Sequence, residues 1–183
     1  MVVGLQDISG KEIGFSTDEE SEKTILTGSG EGNCSEGADY VSHLLGKDTN
    51  IVVKETKTGS AGFLNNRVFL DASQINGMQE ALEKEGFDKG AMGVGMVFLH
   101  ETLHTYDGAK FFTSEDDKEN KSIGGRFSNE QYITDIVNRF REQMNLPVRY
   151  QYGSLPGTLY FEKDGNKKTI KHSNKRPDVN KNN

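Results

Sequence analysis

The chain has 183 residues, 33% of them hydrophobic, with a formal net charge of -6 and a sequence pI near 5.3. That length suits one domain with a modest core and is short for two. The acidic balance excludes nucleic acid as the main partner, and no apolar run is long enough to span a membrane.

In chain order, residues 5–15 read as a hairpin turning at Ser9-Gly10, residues 17–23 as an acidic loop, and Thr24 to Thr27 as a short strand. The glycine-rich run that follows lacks the lysine-serine ending of a phosphate-binding loop. It holds the sole cysteine, Cys34, which rules out an internal disulfide and, with glutamates on both sides, is a poor nucleophile. The N-terminus has no basic stretch before a long apolar run, so no signal peptide is expected. Residues 36–46 predict a helix with Ala38, Val41, Leu44 and Leu45 on one face, on which His43 has no partner at metal-ligand spacing. Residues 50–56 and 67–70 read as strands, and 66–72 is the natural edge on which an extended peptide could lie by strand addition.

A short amphipathic helix is expected over 76–86, capped by Ser73 or Asn76, and a buried helix from about Gly90 to Tyr106, closed by Asp107-Gly108. Residues 113–126 form a polar loop long enough to act as a lid. Ser128 or Asn129 then caps a helix running to about Met144, with Tyr132, Ile133, Ile136, Val137 and Phe140 as its apolar stripe. Leu146-Pro147 stops it, residues 148–152 are extended, and Asp164-Gly165 turns a final hairpin. Residues 1–164 are expected to form one domain and 165–183 a basic, flexible tail. The fold class that emerges is α+β: two helices packed together on a small antiparallel sheet.

The chemistry concentrates in VGMVFLHETLHTYD, residues 94–107. His100 and His104 lie one helical turn apart on one face, close enough to grip a single metal ion. Two imidazoles at that spacing suit Zn²⁺, and Glu101 then stands where it can take a proton from water at the metal. Catalytic zinc needs a third protein ligand and an open position. The position six residues past His104 is Lys110, and the only later histidine, His172, falls in the expected tail. Carboxylates remain. Glu130 is favoured, because it opens a helix that can fold back against the first. Asp107, three residues past His104, is the alternative, and Asp135 could hold a ligand histidine's free N–H.

The assembly of HETLHTYDGA, a polar loop and NEQYITDIVNRFREQMNLPVRYQY resembles the compact zincins of bacterial effectors and toxins. It is most similar to type III secreted metalloprotease effectors and to the C-terminal toxin domains of Rhs-type polymorphic toxins. The resemblance covers about residues 94–152 and rests on the HExxH run, Glu130, Asn138, Arg141 and Leu146-Pro147-Val148-Arg149. Arg149-Tyr150-Gln151-Tyr152 also resembles the Arg-x-x-Tyr of gluzincins such as clostridial neurotoxin light chains, which implies that Arg149 and Tyr152 stabilise the developing oxyanion. The spacing departs from thermolysin-like enzymes, since Asp135 lies five residues after Glu130 rather than four.

The resemblance implies a zinc metallopeptidase with Glu101 as general base, acting on a protein or peptide substrate. It also implies secretion, or delivery into a target cell without a classical signal, with a cognate immunity protein or a parent toxin polypeptide as partner. A chain that simply remains in the cytoplasm is equally compatible with the missing signal. Two other readings compete: a non-catalytic, zinc-stabilised binding module, and a zinc amidase acting on cell-wall peptides. The first would close the fourth metal position with another ligand. A small closed pocket would favour the amidase, and an elongated groove beside a free strand edge the peptidase.

Overall fold

Two helices with buried apolar residues find each other in the folded chain, and two of the three described sheets pack beside them. The computed structural model describes residues 5–6, 12–18, 23–29, 35–46, 49–63, 65–121, 125–153 and 157–172. Strands β1 (Glu12–Asp18) and β2 (Lys23–Ser29) form an antiparallel hairpin that pairs Glu12 with Ser29 and Asp18 with Lys23. The expected Ser9-Gly10 turn lies outside the described residues. The partner of β1 is the short strand read over Thr24 to Thr27, extended at both ends, and Thr17 and Asp18, read as the start of the acidic loop, belong to β1. Helix α1 (Ser35–Leu44) follows, as its periodicity predicts.

Strands β3 (Val52–Glu55), β4 (Ala61–Phe63) and β5 (Arg67–Leu70) make a three-stranded sheet of order β3-β5-β4. Here the structure corrects two expectations. The sheet is mixed, since β3 runs parallel to β5 while β4 runs antiparallel to it. Residues 66–72 are no edge, because β5 is paired on both sides and β3 and β4 are the outer strands. The cause is local: Asn66 takes φ 58°, closes a tight turn after Phe63 and folds β4 back onto β5, leaving β3 to enter on the far side.

Asp71 caps helix α2 (Ala72–Lys84) by accepting from the Gln74 N–H at 3.1 Å, one turn earlier than expected. A 3₁₀ turn over Lys89–Met92 precedes helix α3 (Val94–Leu103). The single helix read over 90–106 is therefore shorter at both ends: Gly93 breaks it at the start and His104 is its C-cap. Eight of its ten residues are buried, so the helix must be enclosed on all sides. Short helices α4 (Tyr106–Ala109) and α5 (Glu115–Asn120) come next. Much of the stretch read as a lid is thus ordered by a capping box, in which Ser114 and Asp117 satisfy each other's backbone N–H groups.

Helix α6 (Glu130–Gln143) begins at Asn129, whose Oδ1 accepts from the N–H groups of Gln131 and Tyr132. Its buried side is the predicted stripe, with Ile133, Ile136, Val137 and Phe140 at 1% exposure or less and Tyr132 packed at the margin. Burying each such side chain contributes about 1.5–3 kcal/mol, and the stripe lies against α3. Strands β6 (Val148–Gln151), β7 (Thr158–Lys163) and β8 (Asn166–Lys171) form an antiparallel sheet in that order. Asp164 and Gly165 have φ of 51° and 75°, the left-handed pair of a two-residue hairpin turn. β8 corrects the boundary placed at residue 164: Asn166–Lys171 is a strand with Ile170 in the core, so the folded unit reaches His172. No helix among the described residues is long and apolar enough to cross a membrane. The arrangement is α+β.

Candidate metal centre

Helix α3 delivers its two histidines at its last turn, and helix α6 delivers Glu130 at its first. His100 Nε2 lies 3.1 Å from one carboxylate oxygen of Glu130, and His104 Nε2 lies 3.3 Å from the other. The ligand atoms of all three fall within 4.8 Å of one another, so the group could hold a metal ion. The imidazoles are 11% and 12% exposed and the Glu130 side chain 38%, which leaves one side open to solvent.

The protonation pattern suits a metal. His104 Nδ1 faces the Phe127 carbonyl at 3.3 Å, and a carbonyl can only accept, so Nδ1 carries the hydrogen. In the neutral ring that leaves Nε2 to present its lone pair to an ion, whereas without an ion a protonated Nε2 donates to Glu130. Burial alone would raise the Glu130 carboxyl, but hydrogen bonds from His100 and His104 and their charge hold it well below the usual carboxylate range. Burial works to lower His104, yet the hydrogen bond and charge of Glu130, then the charge of Glu101, raise it.

Glu101 is not one of the three grouped residues. Its side chain is buried, and that burial pushes the carboxyl up against the opposing pull of both histidines. The Gly62 N–H donates to it from the outer strand β4. Contact there is so close that a Cβ on Gly62 would sit 1.9 Å from the Glu101 carbonyl oxygen, so only glycine fits. Thr102, between the two histidines, bonds the hydroxyl of fully buried Tyr40 at 2.8 Å and ties α1 to the motif.

Asp107 is not a ligand. Because α3 stops at His104, the chain turns at Thr105 and carries Asp107 off the histidine face. Its carboxylate accepts from the Asn50 N–H, Asn66 Nδ2 and Lys110 Nζ at 2.7–3.0 Å, making it a buried structural hub. Asp135 does not support a histidine either. It is exposed and accepts from Gln131 Nε2, while Gln131 Oε1 accepts the Tyr152 N–H at 2.9 Å. His43, which has no partner at metal-ligand spacing, bonds the Asp107 carbonyl through Nε2 at 2.7 Å and stacks beside Tyr40, holding α1 against α4.

Arg149 and Tyr152 converge on the site. An extended chain would point residues three apart to opposite faces, but β6 shifts register against β7 between Arg149 and Gln151. The Tyr152 ring stacks on His100 with centroids 5.8 Å apart and planes 8° off parallel, and its hydroxyl bonds Glu130. The Arg149 guanidinium lies over the same ring, 4.3 Å from its centroid. Burial, then the charge of Glu130, raises the Tyr152 hydroxyl pKa. Asn138 anchors this wall: Nδ2 donates to the Arg149 carbonyl at 2.8 Å, and Oδ1 accepts from the Arg149 N–H at 2.9 Å and Arg141 Nη1 at 3.0 Å.

A cleft of about 280 Å³ opens beside His100 and Glu101, bounded by Arg149 and Tyr152 on one side and by Ser60 and Gln74 on another. His172, at the end of β8, lines it as well. Sequence reasoning missed Gly62, Tyr40 and His172 as neighbours of the site, and nothing in their local sequence marks them.

No protein-family model, no curated protein and no solved structure matches this chain. The reading of function therefore rests on the geometry and on the motif resemblance.

Proposed function

We propose that the protein is a zinc-dependent peptidase of the bacterial effector or toxin type. The observation that carries this is the His100–His104–Glu130 group with a buried Glu101 beside a cleft. Two imidazoles and one carboxylate are a donor set suited to zinc. Zinc held there would polarise the scissile carbonyl and acidify water. Glu101, raised by burial, accepts a proton from the attacking water and hands it to the departing amine. Tyr152 and Arg149 border the same space and supply donors for the charge that develops on the carbonyl oxygen. Substrate would lie along β4, the outer strand that meets α3.

Among the described residues no fourth histidine, cysteine or carboxylate joins the group, which argues against a purely structural ion. The modest size of the cleft favours a zinc amidase acting on cell-wall peptides as the second reading. Delivery into a target cell, and an immunity protein or parent toxin chain as partner, follow from the motif resemblance. Metal analysis combined with digestion of a peptide library by the wild type and by Glu101→Gln tests the reading. One equivalent of zinc and cleavage by the wild type alone are expected. Zinc bound equally by a His100→Ala/His104→Ala protein, or hydrolysis unchanged in Glu101→Gln, overturns it.

A further inference from the structure

The cleft differs in charge from the molecule around it. The chain as a whole is acidic, at -6. The cleft lining nevertheless includes two arginines, Arg141 and Arg149, and two histidines, His100 and His172, with Glu101 as its one acid among the described residues. Neither arginine makes an ion pair with an acid among the described residues. Arg141 is 3% exposed and gives its hydrogens to neutral acceptors only: the Ala91 carbonyl, Asn138 Oδ1 and the Met92 sulfur. Burial, then the charge of Arg149, pushes it down to about 9. Arg149 Nε is buried without a hydrogen-bond partner among the described residues, and so is His172 Nδ1.

Burying two guanidiniums near each other without a counter-ion is costly, and unpaired buried donors add to the cost. Burial lowers Arg149, against the opposing pull of Tyr152, whose ring it covers, and then of Glu130 and Glu101. A divalent ion in the histidine–glutamate group would cancel the charge of those two carboxylates, leaving the guanidiniums as the net charge of the cleft. Below them, Met78, Met92, Met96 and Val97 provide an apolar floor.

We propose that this inner wall is a carboxylate-binding subsite, in which Arg149 and His172 receive a substrate carboxylate while the methionine floor receives the aliphatic carbons attached to it. The proposal rests on the peptidase reading and names its substrate class: a peptide with an acidic side chain next to the cleaved bond, or one presenting its own C-terminal carboxylate. Both sources offer the same planar anion, which a guanidinium edge binds with paired hydrogen bonds.

The test reads binding, not turnover. Zinc-loaded protein is titrated with N-acetylglutamic acid α-amide, with N-acetylleucine, and with their neutral counterparts N-acetylglutamine amide and N-acetylleucine amide. Binding is followed by the NMR resonances of the His172 ring and the Arg149 side chain. At least one acid should bind about tenfold or more tightly than its amide, a ratio expected for hydrogen bonds to a charged group. The Arg149 and His172 resonances should move together. Preference for the glutamate derivative assigns the carboxylate to a side chain, and preference for N-acetylleucine assigns it to a chain terminus.

Arg149→Gln should reduce the acid-to-amide ratio to near one, which also separates the subsite from a carboxylate bound directly to zinc. Should that variant fail to fold, the resonance changes in the wild type decide alone. Equal binding of acid and amide, a ratio that survives Arg149→Gln, or shifts that spare His172 and Arg149 overturn the proposal. Acid preference in a protein that cleaves no peptide keeps the subsite and removes the peptidase reading. Cleavage without acid preference does the opposite.

Discussion

The two sides of the candidate site are built by different means. On one side α3 and α6 hold His100, His104 and Glu130 on helical backbones, whose own hydrogen bonds fix the side-chain spacing. On the other side β6 holds Arg149 and Tyr152 through a register shift and the side chain of Asn138. On the helical side the spacing of His100 and His104 is set within one helix, and only Glu130 comes from another. The strand wall owes its shape to contacts across the chain, so single side chains can loosen it without unfolding the domain.

Breaking the helical wall should give the largest effects. Glu130→Ala should weaken zinc binding by more than about 100-fold, beyond what loss of a mere supporting contact costs. Asp107→Asn should change it little, and a metal titration that finds the reverse order would return Asp107 to the ligand set. Glu101→Gln should keep zinc and fold while lowering kcat by about 10²–10⁴-fold, the usual contribution of a positioned proton acceptor. Equal zinc content in the two proteins is the control.

The strand wall should yield smaller and more graded losses. Tyr152→Phe should lower kcat by about ten- to a thousand-fold with KM nearly unchanged, as for a donor that acts only in the transition state. Asn138→Ala should cost about 1–3 kcal/mol in denaturant unfolding, because it strips partners from the Arg149 backbone and from buried Arg141. Zinc affinity should barely move, and if it falls as far as in Glu130→Ala the two walls are not separable.

The smallest effect is a pH dependence. In metal-free protein the lowered Glu130 contributes stability that is present above its unfolded pKa and lost as pH falls through the folded value. The raised His104 contributes stability that is complete below its unfolded pKa and lost as pH rises through the folded one. The joint contribution is therefore largest between about pH 4.3 and 6.5, the unperturbed values of the two side chains. Zinc affinity should run the other way and increase across the histidine range, since ligands must shed their protons. Melting curves of metal-free and zinc-loaded protein from pH 5 to 8 should diverge, and parallel curves would contradict the pairing.

The difference between the walls also explains what could be read from the sequence. His100 and His104 were legible because a helix converts four residues of spacing into one shared face. Glu130 was legible because Asn129 marks where its helix starts. The stripe Ile133–Phe140 and the Asp164-Gly165 hairpin followed from the same short-range rules. Tertiary pairing was not legible: Gly62 meets Glu101 at a separation of 39 in the sequence numbering, and Tyr40 meets Thr102 at a separation of 62. β5 was mistaken for an edge because a strand's neighbours leave no mark on its own residues. His172 was set aside because a run of lysines looks solvated, although β8 carries it to the cleft with Ile170 buried two positions before. Asp107 shared a helical face only on the assumption that the helix continued past His104.

That stop has a further consequence. Peptide dipoles aligned along a helix leave roughly half a negative elementary charge at its C-terminus and half a positive one at its N-terminus. α3 ends at His104 and α6 begins at Glu130, so the two helices bring opposite poles to one place. The negative pole of α3 favours a cation beside its last turn, and the positive pole of α6 favours an ionised Glu130 in its first. The backbone thus supplies a field that complements both the ion and its carboxylate ligand. The same three side chains grafted onto strands, whose dipoles largely cancel, would lack it and hold a cation more weakly.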